Sequence, residues 1–298
     1  MSSTYNDLIE DAMGILRGYV ISQDQSTHLT GGVDADDLAW SVGDASRLSP
    51  GRLAVDNEIV YVDSFDQTNN TITIAPYGRG LDGSTAASHA ALAQVVNNPR
   101  FPRYRVKRAI NDTIQQVGSV GLFGVGSETF TTDGGAYSYE LPVEATRVID
   151  VQYEAVADGW VPLRNWRQDF SISAATHSTG KGLVTGRLPD SRTLEVTYAF
   201  DPVELDADSD DFAEVSGLPE SCRDVIVFGA CWRMLSAVGP GRLDNHSISA
   251  ADLDSRGQAA TAEQSESLQM YRSFNQRLGE ERMRLLDRYK TATHNTRF

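Results

Sequence analysis

Residues 219–240 read PESCRDVIVFGACWRMLSAVGP, from Pro219 to Pro240. Pro219 stands where the first turn of a helix tolerates a residue without an N–H, Glu220 and Asp224 lie at the positive end of the helix dipole, and Gly239-Pro240 is a stop signal. Between them, Val225 through Ala237 is apolar on nearly every face apart from Arg233. A helix of that kind is stable only when other elements surround it, so this segment is expected at the centre of the core. Cys222 and Cys231 are nine residues apart. That is about half a turn out of phase on a helix, so they point to opposite sides and read as buried apolar fillers, not as a disulfide.

Working outward, Ser3 or Thr4 is placed to cap an opening helix. In it Tyr5, Leu8, Ile9, Ala12, Met13 and Leu16 recur at three- and four-residue spacing, with Asp7, Glu10 and Asp11 near its start. A polar stretch through Gly31, Gly32, Asp34, Asp36 and Asp37 reads as a linker. Glu58 to Val62 and Thr71 to Ala75 then flank the turn residues Asp66 to Asn70, which predicts a hairpin. Helical spacing returns after Pro102 at Val106, Ile110, Thr113, Ile114 and Val117. A second β block runs from about Glu128 to Phe200, with Leu194, Val196, Tyr198 and Phe200 on one strand face, Tyr137, Tyr139 and Leu141 alternating likewise, and Arg147 to Tyr153 as a third strand. The last helix spans Thr261 to Tyr289, with Met270, Tyr271, Phe274, Leu278, Leu285 and Tyr289 on one stripe and Glu280 with Arg284 as an i, i+4 pair.

The fold class that follows is α+β: a helical bundle core, with helices near 4–19, 101–118, 219–238 and 261–289, carrying an inserted antiparallel β-sandwich or barrel and a small β-hairpin insert. The organisation expected is 1–35 N-terminal helix and linker, 36–98 small β insert, 99–125 core helix, 126–204 β domain, and 205–298 core helices with a C-terminal docking arm.

A chain of 298 residues that is 40% hydrophobic and 22% charged is folded, not disordered. No secretory signal opens it, and no apolar run approaches the roughly 20 residues needed to span a bilayer, so a cytoplasmic origin without membrane association is expected. A net charge of −15 argues against wrapping nucleic acid and suits a surface that DNA must slide past. The 27 Asp against 14 Glu and 23 Arg against 3 Lys fit a GC-rich or a salt-adapted host.

Chemical motifs fall away on inspection. Gly78-Arg79-Gly80-Leu81-Asp82-Gly83 matches a dinucleotide fingerprint formally, but its strand alternates and no acid stands near residue 103 to hold a ribose. Gly180-Lys181 lacks the rest of a phosphate loop. Asp206, Asp208, Asp210 and Asp211 imitate the opening of a calcium loop, yet Asp211 and Gly217 occupy the positions that require Gly and Glu, and a solvated acidic linker is the plainer account. His28, His89, His177, His246 and His294 lack metal-ligand spacing, and His89 is expected to hold a loop by hydrogen bonding. No nucleophile elbow surrounds a Ser. Trp160, Arg164, Trp166 and Arg167 have the chemistry to stack sugars or bases, against the alternative of aromatics packed in a β domain or at a subunit interface. No catalytic residue, metal or cofactor is expected.

Two stretches carry a family resemblance. Arg79-Gly80-Leu81-Asp82-Gly83-Ser84-Thr85-Ala86-Ala87-Ser88-His89-Ala90 resembles the Arg-Gly, Gly-Thr, Ala, His-Ala pattern of virion structural proteins of tailed phages, with Ser84 in place of the usual Thr. The order of a β block, an acidic linker, Leu218 to Arg233 and a long helix with Glu280-Glu281-Arg282 and Leu285-Leu286 is similar to that of the head-to-tail adaptors, or tail tubular proteins. The resemblance implies a non-enzymatic adaptor in the neck of the virion: a ring of about twelve copies under the portal protein, bound to head-closure or tail proteins. Its lumen would pass viral DNA without reading its sequence, and its C-terminal segment would dock on the portal.

Two basic clusters give this physical form. Residues 272–298 hold Arg272, Arg277, Arg282, Arg284, Arg288, Lys290 and Arg297 against Glu280, Glu281 and Asp287, so 7 − 3 = +4 on a chain of −15. Arg277, Arg282, Arg284, Arg288 and Lys290 are the candidate portal-docking residues; the plain alternative is a solvated helix face near its negative pole. Deleting residues 280–298 is then expected to spare the fold and abolish portal binding. Arg100, Arg103, Arg105, Lys107 and Arg108 crowd the start of a helix, where each positive charge is disfavoured by ~0.3–1 kcal/mol. They call for compensation, either from internal acids such as Asp34, Asp36 and Asp37 or from a neighbouring subunit or the portal. Arg79, Gly80, Gly83 and His89 form the motif loop. The competing functions are a tail or baseplate subunit, and a tail-borne carbohydrate-binding or hydrolysing module built on Trp160 and Trp166.

Overall fold

The computed structural model describes residues 2–19, 24–155, 159–237 and 250–289, with 250–265 as helix backbone only. The chain is a mixed α+β protein with antiparallel sheets. Its helices are α1 (Tyr5–Arg17), α2 (Arg103–Ser119), the short α3 (Phe212–Ser216), α4 (Arg223–Ala237) and α5 (Ala250–Arg288). It divides into two units: Met1–Tyr5, Thr113–Val225 and Asn275–Phe298 in one, and Asn6–Asp112 with Ile226–Phe274 in the other.

The unit that contains α1 also holds a six-stranded sheet of β1 (Ser26–His28), β2 (Ala39–Ser41), β3 (Gly51–Val55), β4 (Glu58–Asp66), β5 (Thr71–Ile74) and β6 (Gln94–Asn97), in the order β1-β6-β3-β4-β5-β2. The hairpin expected at residues 58–75 is therefore the middle of a larger sheet. Its β1 lies in the stretch that reads as a polar linker. The sheet curls until its ends meet: Leu29 bridges Val42, Thr30 N donates to Ser41 O at 2.9 Å, and Gly43 N donates to His28 O at 2.8 Å. Curling removes the exposed strand edges that a flat sheet would offer to other chains. Its interior is filled by Leu29, Trp40, Val42, Leu53, Val55, Val60, Val62, Ile72, Ile74 and Val95, all at most 1% exposed. Sequence reading names none of β1, β2 and β6 as a strand, although β2 and β6 fall inside the β insert expected at 36–98; β1 and β2 are only three residues long, too short to display an alternation.

The other unit carries the second β block: β7 (Gly124–Thr131), β8 (Ser138–Glu140), β9 (Ala145–Ala155), β10 (Gly159–Pro162), β11 (Trp166–Asp169), β12 (Gly182–Thr185) and β13 (Thr193–Phe200). These make a four-stranded sheet, β10-β9-β13-β7, and a three-stranded sheet, β11-β12-β8. Side chains of both, including Val148, Val151, Leu194 and Val196 from the first and Tyr139 and Leu183 from the second, share one apolar cluster. Leu194, Val196 and Tyr198 face inward as their spacing predicts, whereas Tyr137 stays 57% exposed and does not join Tyr139 and Leu141. Tyr137 lies just before β8, outside the regular alternation.

Among the helices, α4 is preceded by a tight turn at Glu220–Cys222 with Pro219 at its cap, and its Val225, Ile226, Ala230 and Cys231 are fully buried. The stop at Gly239-Pro240 lies outside the described residues. Cys222 and Cys231 are buried free thiols, each pushed by burial up to about 12. Helix α5 begins at Ala250, about three turns before the start expected at Thr261. The intervening residues are mostly Ala and Asp with a single Leu, and show no apolar stripe to announce a helix.

Candidate functional site

The motif loop is organised around a carboxylate no strand pattern would place inside. Glu58 opens β4 and is 1% exposed. Its Oε1 accepts from Arg79 Nε at 2.7 Å and Gly80 N at 3.0 Å; its Oε2 accepts from Arg79 Nη2 at 2.9 Å and Ala87 N at 3.1 Å, and faces His89 Nε2 at 2.9 Å. His89 Nδ1 lies 2.8 Å from Asp56 Oδ2. Burial alone would raise the Glu58 carboxyl. The His89, Arg79, Ala87 and Gly80 donors more than reverse this and hold it at about 2. Burial alone would lower His89, yet Asp56 and Glu58 lift it to about 9, so at neutral pH it is a cation between two carboxylates.

Arg79 extends this network outward. Its Nη1 donates to Asp34 O at 3.0 Å and Asp37 O at 2.9 Å, and its Nη2 also donates to Ala87 O at 2.6 Å. The guanidinium lies 4.8 Å from the Trp40 ring centre, and Trp40 meets His89 edge-on at 5.9 Å. Every guanidinium nitrogen is thus used, and three loops are tied to one buried point. The role expected for His89, holding a loop, is what this geometry provides. Gly80 has φ +63 and Gly83 φ +86, left-handed values that favour glycine, and a Cβ at Gly80 would come within 3.0 Å of Ala86 N. Ser84 Oγ accepts from Ile59 N at 3.0 Å, a hydrogen bond that Thr would also supply. Reasoning from the sequence missed Glu58, Asp56 and Trp40. The available signal was an acid at the head of an otherwise apolar strand.

Two members of the basic cluster at the start of α2 meet internal acids, though other ones than Asp34, Asp36 and Asp37. Arg103 pairs with Glu10 at 2.9 Å and Asn6 Oδ1 at 2.8 Å, while Arg105 pairs with Asp82 at 2.7 Å, an acid it shares with Arg52. Glu10 and Asp82 supply these partners, while the backbone carbonyls of Asp34 and Asp37 serve Arg79. Arg100 lies against the Phe101 ring at 5.6 Å. Arg108 is exposed and makes no ion pair among the described residues.

At the end of α5, Arg277 pairs with Glu280 at 2.6 Å and Arg284 with Glu281 at 2.6 Å, so the expected Glu280–Arg284 pair does not form. Glu281 is 1% exposed and also accepts from Ser221 Oγ at 2.7 Å; a carboxylate so desolvated draws the neighbouring guanidinium. Arg282, Arg284 and Arg288 are exposed beside the exposed Met283 and Leu286. Lys290, Arg297, His246 and His294 lie outside the described residues.

In the acidic run, side chains bind the local backbone. Asp210 accepts from Asp206 N at 2.8 Å and Ala207 N at 2.9 Å, and Asp211 caps α3 through Ala213 N and Glu214 N. Trp166 sits on the three-stranded sheet, packed against the apolar cluster, while Trp160 is 46% exposed on the four-stranded sheet. Arg167 lies 4.0 Å from Asp169.

With helices α2, α4 and α5 and the second β block in place, the chain can be set beside known proteins. The SU10 adaptor protein family matches residues 84–296, more than two-thirds of the chain. The chain belongs to that family. No curated protein matches it. The match starts inside the motif loop and takes in His89, all of α2, the second β block, α4 and α5; Glu58 and Arg79 lie N-terminal to it. Membership agrees with the adaptor resemblance read from the sequence, and an adaptor family implies interaction with other virion structural proteins. No helix among its described residues is long and apolar enough to cross a membrane.

Proposed function

We propose that this SU10 adaptor family member joins the capsid to the tail as a ring of about twelve copies beneath the portal protein, with a lumen through which the genome passes. The family match over residues 84–296 carries the reading. Its work is binding, not catalysis. In this picture α1, α2, α4 and α5 form a helical bundle in the ring wall, and the β domain faces outward or toward head-closure and tail proteins. A net charge of −15 keeps DNA sliding past the wall. Arg277, Arg282, Arg284, Arg288 and Lys290 dock on an acidic portal surface, and Arg100, Arg103, Arg105, Lys107 and Arg108 serve a neighbouring subunit or the portal. Exposure of Arg282, Arg284 and Arg288 beside Met283 and Leu286 supports the docking face, since basic rims around apolar anchors are common at interfaces.

The geometry changes the test. Cutting at residue 280 removes the buried Glu281 and Leu285, so the truncated chain is expected to lose stability as well as binding. Arg282→Glu with Arg288→Glu in the full-length chain avoids this. Retention on immobilised portal protein is expected to weaken by about tenfold or more, with the melting temperature within a few degrees of the parent and the residual binding steeply dependent on salt. Undiminished retention rejects the docking assignment, and localisation of the protein to the distal tail rejects the neck.

A further inference from the structure

The curled sheet presents an apolar patch that its own unit leaves uncovered. Tyr77 is 98% exposed, Tyr61 45% and Leu38 41%. Backbone hydrogen bonds bring the three together: Tyr61 N donates to Gly78 O at 2.7 Å, Ala75 N to Tyr61 O at 2.9 Å, and Ile74 N to Leu38 O at 2.7 Å. Tyr77 has φ +64, a left-handed conformation that a side chain occupies at a cost and glycine does not. A ring held in that conformation and left in water contributes nothing to the fold that carries it. The patch is nevertheless rigid. Arg79, two residues beyond Tyr77, fastens the 34–37 loop to the Glu58 network, so both arms of the patch are fixed before any partner arrives.

Charge indicates what covers it. Asp36 and Asp63 are exposed beside Leu38 and Tyr61, and neither has an ion-pair partner among the described residues. Arg52, opposite Tyr61 across the sheet, is occupied by Asp82. An aromatic pair beside unpaired acids suits a guanidinium, which stacks on the rings and pairs with the carboxylates. The same unit offers such a group: Arg108 of α2, exposed and without an ion pair among the described residues.

We propose that the Leu38–Tyr61–Tyr77 patch is a self-assembly surface that receives Arg108 of a second copy, with Asp36 and Asp63 as its counter-charges. This rests on the ring reading above and names the contact that would build the ring. Made in one direction from copy to copy the contact is head-to-tail and can close into a ring, whereas made reciprocally across a two-fold axis it stops at a symmetric dimer; a parental chain that stops at a dimer therefore rules out this contact as the builder of the ring.

Light scattering and native mass spectrometry of the full-length chain over a concentration series, alone and with portal protein, test it. Tyr61→Ala with Tyr77→Ala is expected to raise the concentration needed for self-association by about tenfold or more, as loss of an aromatic anchor does. Tyr77→Gly should do so while its melting temperature holds or rises, since glycine suits the turn, which separates lost contact from lost fold. Arg108→Glu should also weaken association, and Asp36→Arg with Asp63→Arg should restore it in that background. An equimolar mixture of Tyr77→Gly and Arg108→Glu chains retains one intact contact and should stop at a dimer. Tyr77→Gly or Arg108→Glu chains that assemble at parental concentrations overturn the contact and leave the ring reading standing. Loss of portal retention with self-association intact also overturns it, reassigning the patch to the portal. A parental chain that never self-associates, alone or on the portal, brings down the ring reading itself.

Discussion

Arg79→Met is expected to destabilise the six-stranded module by about 3–5 kcal/mol, the cost of taking from a buried carboxylate one of its two cationic partners and the two hydrogen bonds that partner donates. Glu58 is 1% exposed and cannot recover water in place of the guanidinium. Asp34 O, Asp37 O and Ala87 O each lose the guanidinium in the same stroke, Asp34 O keeping Asp37 N and Asp37 O keeping Trp40 Nε1. Denaturant unfolding measures the loss, and a change below about 1 kcal/mol would show that the network is incidental. The same network sets a pH profile. Glu58, depressed from 4.5 to about 2, contributes stability that is complete above the ordinary carboxyl value and fades as pH falls through about 2. His89, raised from 6.5 to about 9, contributes stability that is complete below its ordinary value and fades as pH rises through about 9. The network is therefore strongest between about 4.5 and 6.5, and melting temperature should fall on both sides of that window. In His89→Gln the alkaline decline should flatten while the acid decline persists. An unchanged alkaline limb would place its cause elsewhere.

In the other unit, Gly217→Ala is expected to cost about 2–4 kcal/mol, from a left-handed residue that gains a side chain and a ring that must move. Gly217 ends α3 at φ +73, with its N–H on Ala213 O, and a Cβ there would lie 2.3 Å from Phe200 Cζ. Gly124 is crowded by the same ring: a Cβ at Gly124 would come within 2.4 Å of the same atom, and the Gly217 Cβ would also lie 3.3 Å from Gly124 Cα. Two glycines on different segments thus form a slot for one aromatic side chain. Phe200→Leu combined with Gly217→Ala should recover part of the loss, and strict additivity of the two substitutions would show that they do not meet in one slot.

What the linear order of residues determined is what depends on near neighbours. The burial of α4 follows from Val225 to Ala237 having almost no polar face, and the inward face of β13 follows from strict alternation at Leu194, Val196 and Tyr198. The loop-holding role of His89 and the adaptor resemblance were legible too, because short motifs keep their spacing whatever surrounds them. Only the tertiary structure decided which charges meet. Glu58 finds Arg79 and His89, Arg103 finds Glu10 across ninety-three positions, and the ends of the curled sheet close at Leu29 and Val42. Likewise, nothing in the order of residues separates the buried Trp40 from the exposed Tyr77. Periodicity reports one element's own face to the core, whereas ion pairs, slots for rings and uncovered patches arise where separate elements converge, and that convergence is set by packing.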